Sequence, residues 1–82
     1  MYKEILELFQ WCIDSHIHCT LTRLYDGYKI SFADGSDFVQ HAGSYGSKHG
    51  YVEPAGFEIS YEPVTLEEAR LLILKKLANP IL

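Results

Sequence analysis

Apolar residues recur at Tyr2, Ile5, Leu6, Phe9, Cys12 and Ile13, with Lys3, Glu4, Glu7, Gln10 and Asp14 between them. At 100° per residue the apolar set falls on one face and the polar set on the other, which predicts an amphipathic helix. Trp11 breaks this pattern. It projects among the charged positions, where a surface helix gives an indole nothing intramolecular to bury against unless a loop folds over it.

From Cys19 the period changes to two. Cys19, Leu21 and Tyr25 alternate with His18, Thr20 and Thr22 and run into Asp26-Gly27, a dipeptide favoured in two-residue type I′ turns. Tyr28, Ile30 and Phe32 then alternate with Lys29, Ser31 and Ala33. A turn centred on Asp26-Gly27 sets Tyr25 opposite Tyr28, Arg23 opposite Ile30 and Leu21 opposite Phe32. Asp34-Gly35 offers a second reversal, and Asp37 to Ala42 reads as a third strand. There Phe38 and Val39 are adjacent and cannot both face the core, so a bulge or a longer turn is expected.

Gly43-Ser-Tyr-Gly-Ser-Lys-His-Gly50 is too rich in glycine and polar residues for the interior of an element and reads as a loop. Tyr51-Val52-Glu53 is a short strand broken by Pro54-Ala55-Gly56. Phe57, Ile59 and Tyr61 alternate with Glu58, Ser60 and Glu62 in a last strand that Pro63 ends.

Thr65 followed by Glu68 is a capping box, so a second helix starts at Leu66. It runs to about Ala78, where Asn79 can take a left-handed cap and Pro80 forbids continuation. Glu67 and Glu68 open it and Lys75 and Lys76 close it, the order the helix dipole prefers. Leu66, Ala69, Ile73 and Leu77 make its core face. Leu71, Leu72 and Leu74 fall outside that face, so this helix is apolar around more of its circumference than one sheet covers. The element order predicts one α+β domain over residues 1–82: an N-terminal helix, a three- to four-stranded antiparallel meander, and a C-terminal helix, both helices on one sheet face.

Length and composition narrow this further. A chain of 82 residues holds one core, and domains of this size are thinly stabilised, which raises the expectation of a homodimer. Its 48% hydrophobic and 22% charged residues lie in the globular range and exclude a disordered chain. No apolar run approaches the length needed to span a bilayer. Met1-Tyr2-Lys3-Glu4 lacks the basic flank and apolar stretch of an export signal, so the cytoplasm is the expected location. A net charge of −4 argues against duplex-DNA binding, which needs a basic face.

Four constellations have the residue types for chemistry. Cys12, His16, His18 and Cys19 carry zinc-ligating groups, but no Cys-x2-Cys knuckle is present, and His18 and Cys19 point to opposite sides of a strand. Two buried core thiols, reduced and unpaired, with two solvent-facing histidines are the plainer reading, and no cofactor is implied. The loop 43–50 groups glycines with His41, Tyr45, Lys48, His49 and Tyr51, a mixture suited to a phosphate or a stacked base. Gly46-Ser47-Lys48 nonetheless lacks the Gly-Lys-Ser/Thr core of a phosphate loop, and a connection that touches a protein partner is the alternative. His41 or His49 near Asp37, Glu53 or a loop serine has the groups for acid-base work, but no nucleophile context accompanies them. Tyr25, Tyr28 and Phe32 have the types of a single-strand platform but few basic neighbours, so they are expected in the core.

Leu24-Tyr-Asp-Gly-Tyr-Lys29, Gly35-Ser-Asp-Phe-Val39, Gly43-Ser-Tyr-Gly46 and Gly50-Tyr-Val-Glu53 resemble short uncharacterised proteins of bacteriophages and prophages of Gram-positive bacteria. The resemblance covers roughly the middle third of the chain and brings no activity, cofactor or catalytic residue. It implies a small accessory protein of a mobile element that acts by binding another protein.

The expectation that follows is a non-enzymatic interaction protein, a homodimer with a further protein partner. Its contact surface takes in Trp11, Leu71 and Leu74. The competing expectation is a nucleotide- or nucleic-acid-binding module built on the loop.

Overall fold

The helix over Lys3–Asp14 (α1) lies across a four-stranded antiparallel sheet of Cys19–Leu24 (β1), Gly27–Phe32 (β2), Asp37–Gln40 (β3) and Glu53–Ala55 (β4), in the order β1-β2-β3-β4. A second helix, Leu66–Ala78 (α2), packs on α1 on the same side. The computed structural model describes residues 2–44, 46–57 and 62–78, without the side chains of Leu77 and Ala78. All of the expected strand over 57–61 beyond Phe57 lies outside the described residues, as do the Asn79 cap and the side chain of Leu77.

The core is Ile5, Leu8 and Cys12 of α1, Cys19, Ile30 and Phe38 of the sheet, Val52 and Val64, and Ala69 and Ile73 of α2. The α1 stripe is therefore rotated from the expected one. Ile5, Leu8 and Cys12 define its centre, while Leu6 and Ile13 are exposed on one flank. Trp11 lies on the other flank, roughly 150° around the axis from them, and α2 covers it. The expectation that the indole has no intramolecular cover is not met. It packs against the core cluster, and the Arg70 guanidinium carbon stands 5.8 Å from its ring centroid, a cation-π arrangement.

The first reversal differs from the pattern-based reading. The β1–β2 register pairs Leu21 with Ile30, Arg23 with Tyr28 and Leu24 with Gly27, so the turn is Tyr25-Asp26 and not Asp26-Gly27. Tyr25 takes φ +56°, the left-handed region usually left to glycine. Gly27 is needed elsewhere, because a Cβ there would stand 1.9 Å from the Gln40 carbonyl oxygen. Close approach of two strands, not turn conformation, explains that glycine. The β2–β3 turn is a three-residue loop, Ala33, Asp34 and Gly35: Gly35 N–H donates to the Phe32 carbonyl (3.0 Å) and Phe32 N–H to that of Ser36 (2.9 Å), with Gly35 at φ +90° in the bulge position, so the expected bulge or longer turn is present. Val39 has no conflict with Phe38 because it lies on the opposite face, between Lys29 and Glu53.

Pro54 does not break β4 but pairs with Phe38 inside it. The strand is at the sheet edge, where a residue without an N–H is tolerated. Val52 and Val64 exchange both backbone hydrogen bonds at 2.8 Å and lead the chain into α2. There the capping box forms as expected: Thr65 N–H donates to Glu68 Oε1 (2.9 Å) and Glu68 N–H to Thr65 Oγ1 (3.2 Å).

α1 ends in a Schellman motif. Ile17 N–H donates to the Cys12 carbonyl (2.8 Å) and His16 N–H to that of Ile13 (3.1 Å), with His16 itself at φ +60° where glycine is usual. This turn carries His16 and His18 to the surface and leaves both thiols inside.

Candidate functional site

Three surfaces compete for a functional role. The first is the outward side of α2. Ala69 and Ile73 are buried, and on the far side Leu71 is 62% and Leu74 47% exposed. Glu67 and Lys75 share that side, one turn before and after Leu71. Leu72, expected with the outward leucines, is half-buried against the core. Trp11 faces Arg70 and does not join Leu71 and Leu74 as an open apolar group. A smaller apolar pair, Leu6 and Ile13, lies on the flank of α1 away from Trp11.

The second surface is the glycine-rich segment, which is folded and not open. Residues 47–49 form a turn of 3-10 helix, and Gly46 and Gly50 have φ of +77° and +78°. Several of its amides are spent internally: Ser44 N–H on the His41 carbonyl, His49 and Tyr51 N–H on that of Gly46, Gly50 N–H on that of Ser47. Gly43 N–H donates to His41 Nδ1 (3.0 Å), and the buried Ser44 hydroxyl accepts from His41 N–H (3.1 Å). A Cβ on Gly46 would reach Pro63 at 2.8 Å and one on Gly50 would reach Glu4 at 3.0 Å. These glycines seat the loop against the body of the fold. The candidate ligand residues also fall into two groups, His41 edge-on to Tyr25 (5.1 Å between centroids) and His49 beside Tyr51 (6.3 Å). Lys48 is exposed, and Tyr45 lies outside the described residues. Tyr25 is 81% exposed at its turn, so only Tyr28 and Phe32 of the three platform aromatics pack on the core.

The third surface is a cleft of about 340 Å³ that no local sequence pattern signals. Its walls come from four separate segments: His16, Ile17 and His18 after α1, Phe32 to Asp34 with Ser36 at the β2–β3 turn, Phe57, and Ile73 and Lys76 of α2. Phe32, Phe38 and Phe57 form an aromatic cluster at its base, with Phe38 and Phe57 centroids 4.7 Å apart. Lys76 Nζ reaches Asp34 Oδ2 (2.8 Å), donates to the Gly56 carbonyl (2.7 Å) and lies 4.9 Å from the Phe57 centroid. Asp34 Oδ1 also accepts from the Ser36 amide (3.0 Å) and hydroxyl (2.6 Å). Lys76 first, and the two Ser36 donors after it, hold the Asp34 carboxyl well below the usual carboxylate range.

Cys12 and Cys19 are free and buried. Burial, reinforced by the neighbouring Cys19, pushes the Cys12 thiol up to about 12, and burial raises Cys19 too. The zinc-type set is thus divided, with thiols in the core and imidazoles at the surface. Among the described residues no group of three or more His, Cys, Asp or Glu side chains is placed to hold a metal. Among them, too, no helix is long and apolar enough to cross a membrane. The chain matches no protein-family model, no curated protein and no solved structure.

Proposed function

We propose that this protein is a non-enzymatic interaction protein that pairs with a second copy of itself through the outward side of α2. The observation that carries this reading is the exposure of Leu71 (62%) and Leu74 (47%) opposite the buried Ala69 and Ile73. Adjacent exposed leucines on a helix whose other side is packed gain free energy when a contact surface removes them from water.

Charge order favours a second copy as the cover. Glu67 and Lys75 flank Leu71 along one side of the helix. In an antiparallel pair centred on Leu71, Glu67 stands beside Lys75 of the partner subunit and the reciprocal pair closes the other end. One self-complementary patch then buries the leucines and sets opposite charges side by side at its rim. The resemblance to phage and prophage proteins supports a role as an accessory protein that binds others.

The reading is tested by recording amide spectra of the labelled protein over a hundredfold dilution. Residues along Glu67, Leu71, Leu74 and Lys75 are expected to shift together with concentration. Concentration-independent signals along α2 would contradict self-association there.

A further inference from the structure

We propose that the cleft between α1, the β2–β3 turn and α2 binds a small aromatic carboxylate, its ring against Phe32, Phe57 and Ile73 and its carboxylate at Lys76 and the rim imidazoles of His16 and His18. This inference is independent of the α2 pairing. It rests on the cavity, on the composition of its walls and on the arrangement of charge around it.

The volume of about 340 Å³ is at the small end of the range of about 300–1,000 Å³ typical of ligand pockets. Like such pockets, this one is largely apolar with a few converging polar groups. Phe32 and Phe57 meet nearly edge to face, with an interplanar angle of 87°. An inserted ring therefore finds one face and one edge to pack on, the offset geometries aromatic rings prefer.

The polar groups at the mouth are mostly donors. Lys76 carries three ammonium donors, of which Asp34 and the Gly56 carbonyl take two. His16 and His18 add ring N–H groups. Among the described residues Asp34 is the one carboxylate in the lining, and Ser36 and Lys76 already satisfy it. A ligand anion therefore meets an excess of donors, while a ligand cation finds the Asp34 carboxylate engaged.

His16 supports a role beyond packing. It sits at φ +60° in the Schellman position, where glycine is favoured, so its backbone is strained while its side chain lines the cleft.

The test is a chemical-shift titration of the full chain with indole-3-acetate and benzoate, and in parallel with their neutral amides. Saturable shifts at Ile17, Ser36 and Phe57 are expected, in the sub-millimolar to millimolar range, with the acids bound more tightly than the amides by up to about fivefold. Two substitutions should move acid affinity in opposite directions. Lys76→Met removes the cation and weakens it, whereas Asp34→Asn releases Lys76 from its competing carboxylate and strengthens it. Equal binding of acid and amide, shifts that grow linearly without saturating, or both variants shifting affinity the same way would each overturn the proposal.

Discussion

Ile5 N–H donates at 3.0 Å to Oε1 of the fully buried Gln40, so the first turn of α1 is capped by a side chain from the middle of the sheet. Tyr2, at the N-cap position, provides no side-chain acceptor. Gln40 Nε2 donates in turn to Glu4 Oε1 (3.1 Å), so both ends of the amide group are used by the same helix turn. A polar side chain in the core thereby has a partner at both its oxygen and its nitrogen, and α1 is fixed in position over β3.

Gln40→Leu is accordingly expected to destabilise the fold although it adds apolar surface. It leaves the Ile5 amide buried without an acceptor, a loss of about 1–2 kcal/mol. Urea unfolding should show a lower midpoint at unchanged slope.

Two glycines should respond very differently to alanine. At Gly27 the new Cβ would meet backbone atoms, the Gln40 carbonyl oxygen at 1.9 Å and His41 Cα at 2.8 Å. Neither can move without parting β2 from the end of β3, so a loss of about 3 kcal/mol or more is expected, enough to leave little folded protein. At Gly35 nothing lies within 4 Å and only the φ of +90° penalises alanine, about 1 kcal/mol. Thermal unfolding of the two variants checks the ranking and, with it, the close approach of β2 to the end of β3.

His16→Gly is expected to raise stability by about 1 kcal/mol, because it removes a non-glycine residue from the left-handed C-terminal position of α1. A higher midpoint in urea would bear this out, and a lower one would show that the imidazole makes a stabilising contact worth more than the backbone strain.

The acid dependence of stability should carry two opposing contributions. Asp34 has its carboxyl lowered by Lys76 and Ser36, so it stabilises above the ordinary carboxylate range and that stabilisation is lost as pH falls through its folded value. Asp37, on the open face of the sheet, has its carboxyl raised by burial, which the Lys29 charge offsets only in part. Its sign is reversed: the favourable contribution is present below about pH 4 and is lost as pH rises through the folded value. Asp37→Asn should therefore be more stable than the parent at neutral pH, with the difference vanishing in acid, while Asp34→Asn should be less stable at neutral pH and converge likewise. Urea midpoints across that range separate the two.

How far the sequence could be read depends on how local each signal is. The Thr65 and Glu68 capping box and the start of α2 are written within a few residues and appear as expected. The hairpin was legible in its faces but not in its register. Sliding the pairing so that Leu21 meets Ile30 instead of Phe32 keeps every inward residue inward, and a period of two cannot tell the two apart. The helical pattern sets the α1 stripe one flank away from its centre because apolar residues occupy more than half the helix circumference, and only the position of α2 decides that Trp11 and Leu8 go in while Leu6 and Ile13 stay out. Gln40 and Ile5 are 35 residues apart, and the cleft draws on four segments, so neither leaves a mark that spacing can reveal.

The most direct test of the α2 pairing is the mass of the protein in solution, measured by size-exclusion chromatography with light scattering at tens of micromolar. Twice the 9.4 kDa chain mass is expected for the parent, falling to a single chain mass for a folded Leu71→Lys/Leu74→Lys double variant. A parent protein that stays at one chain mass across that range would contradict it.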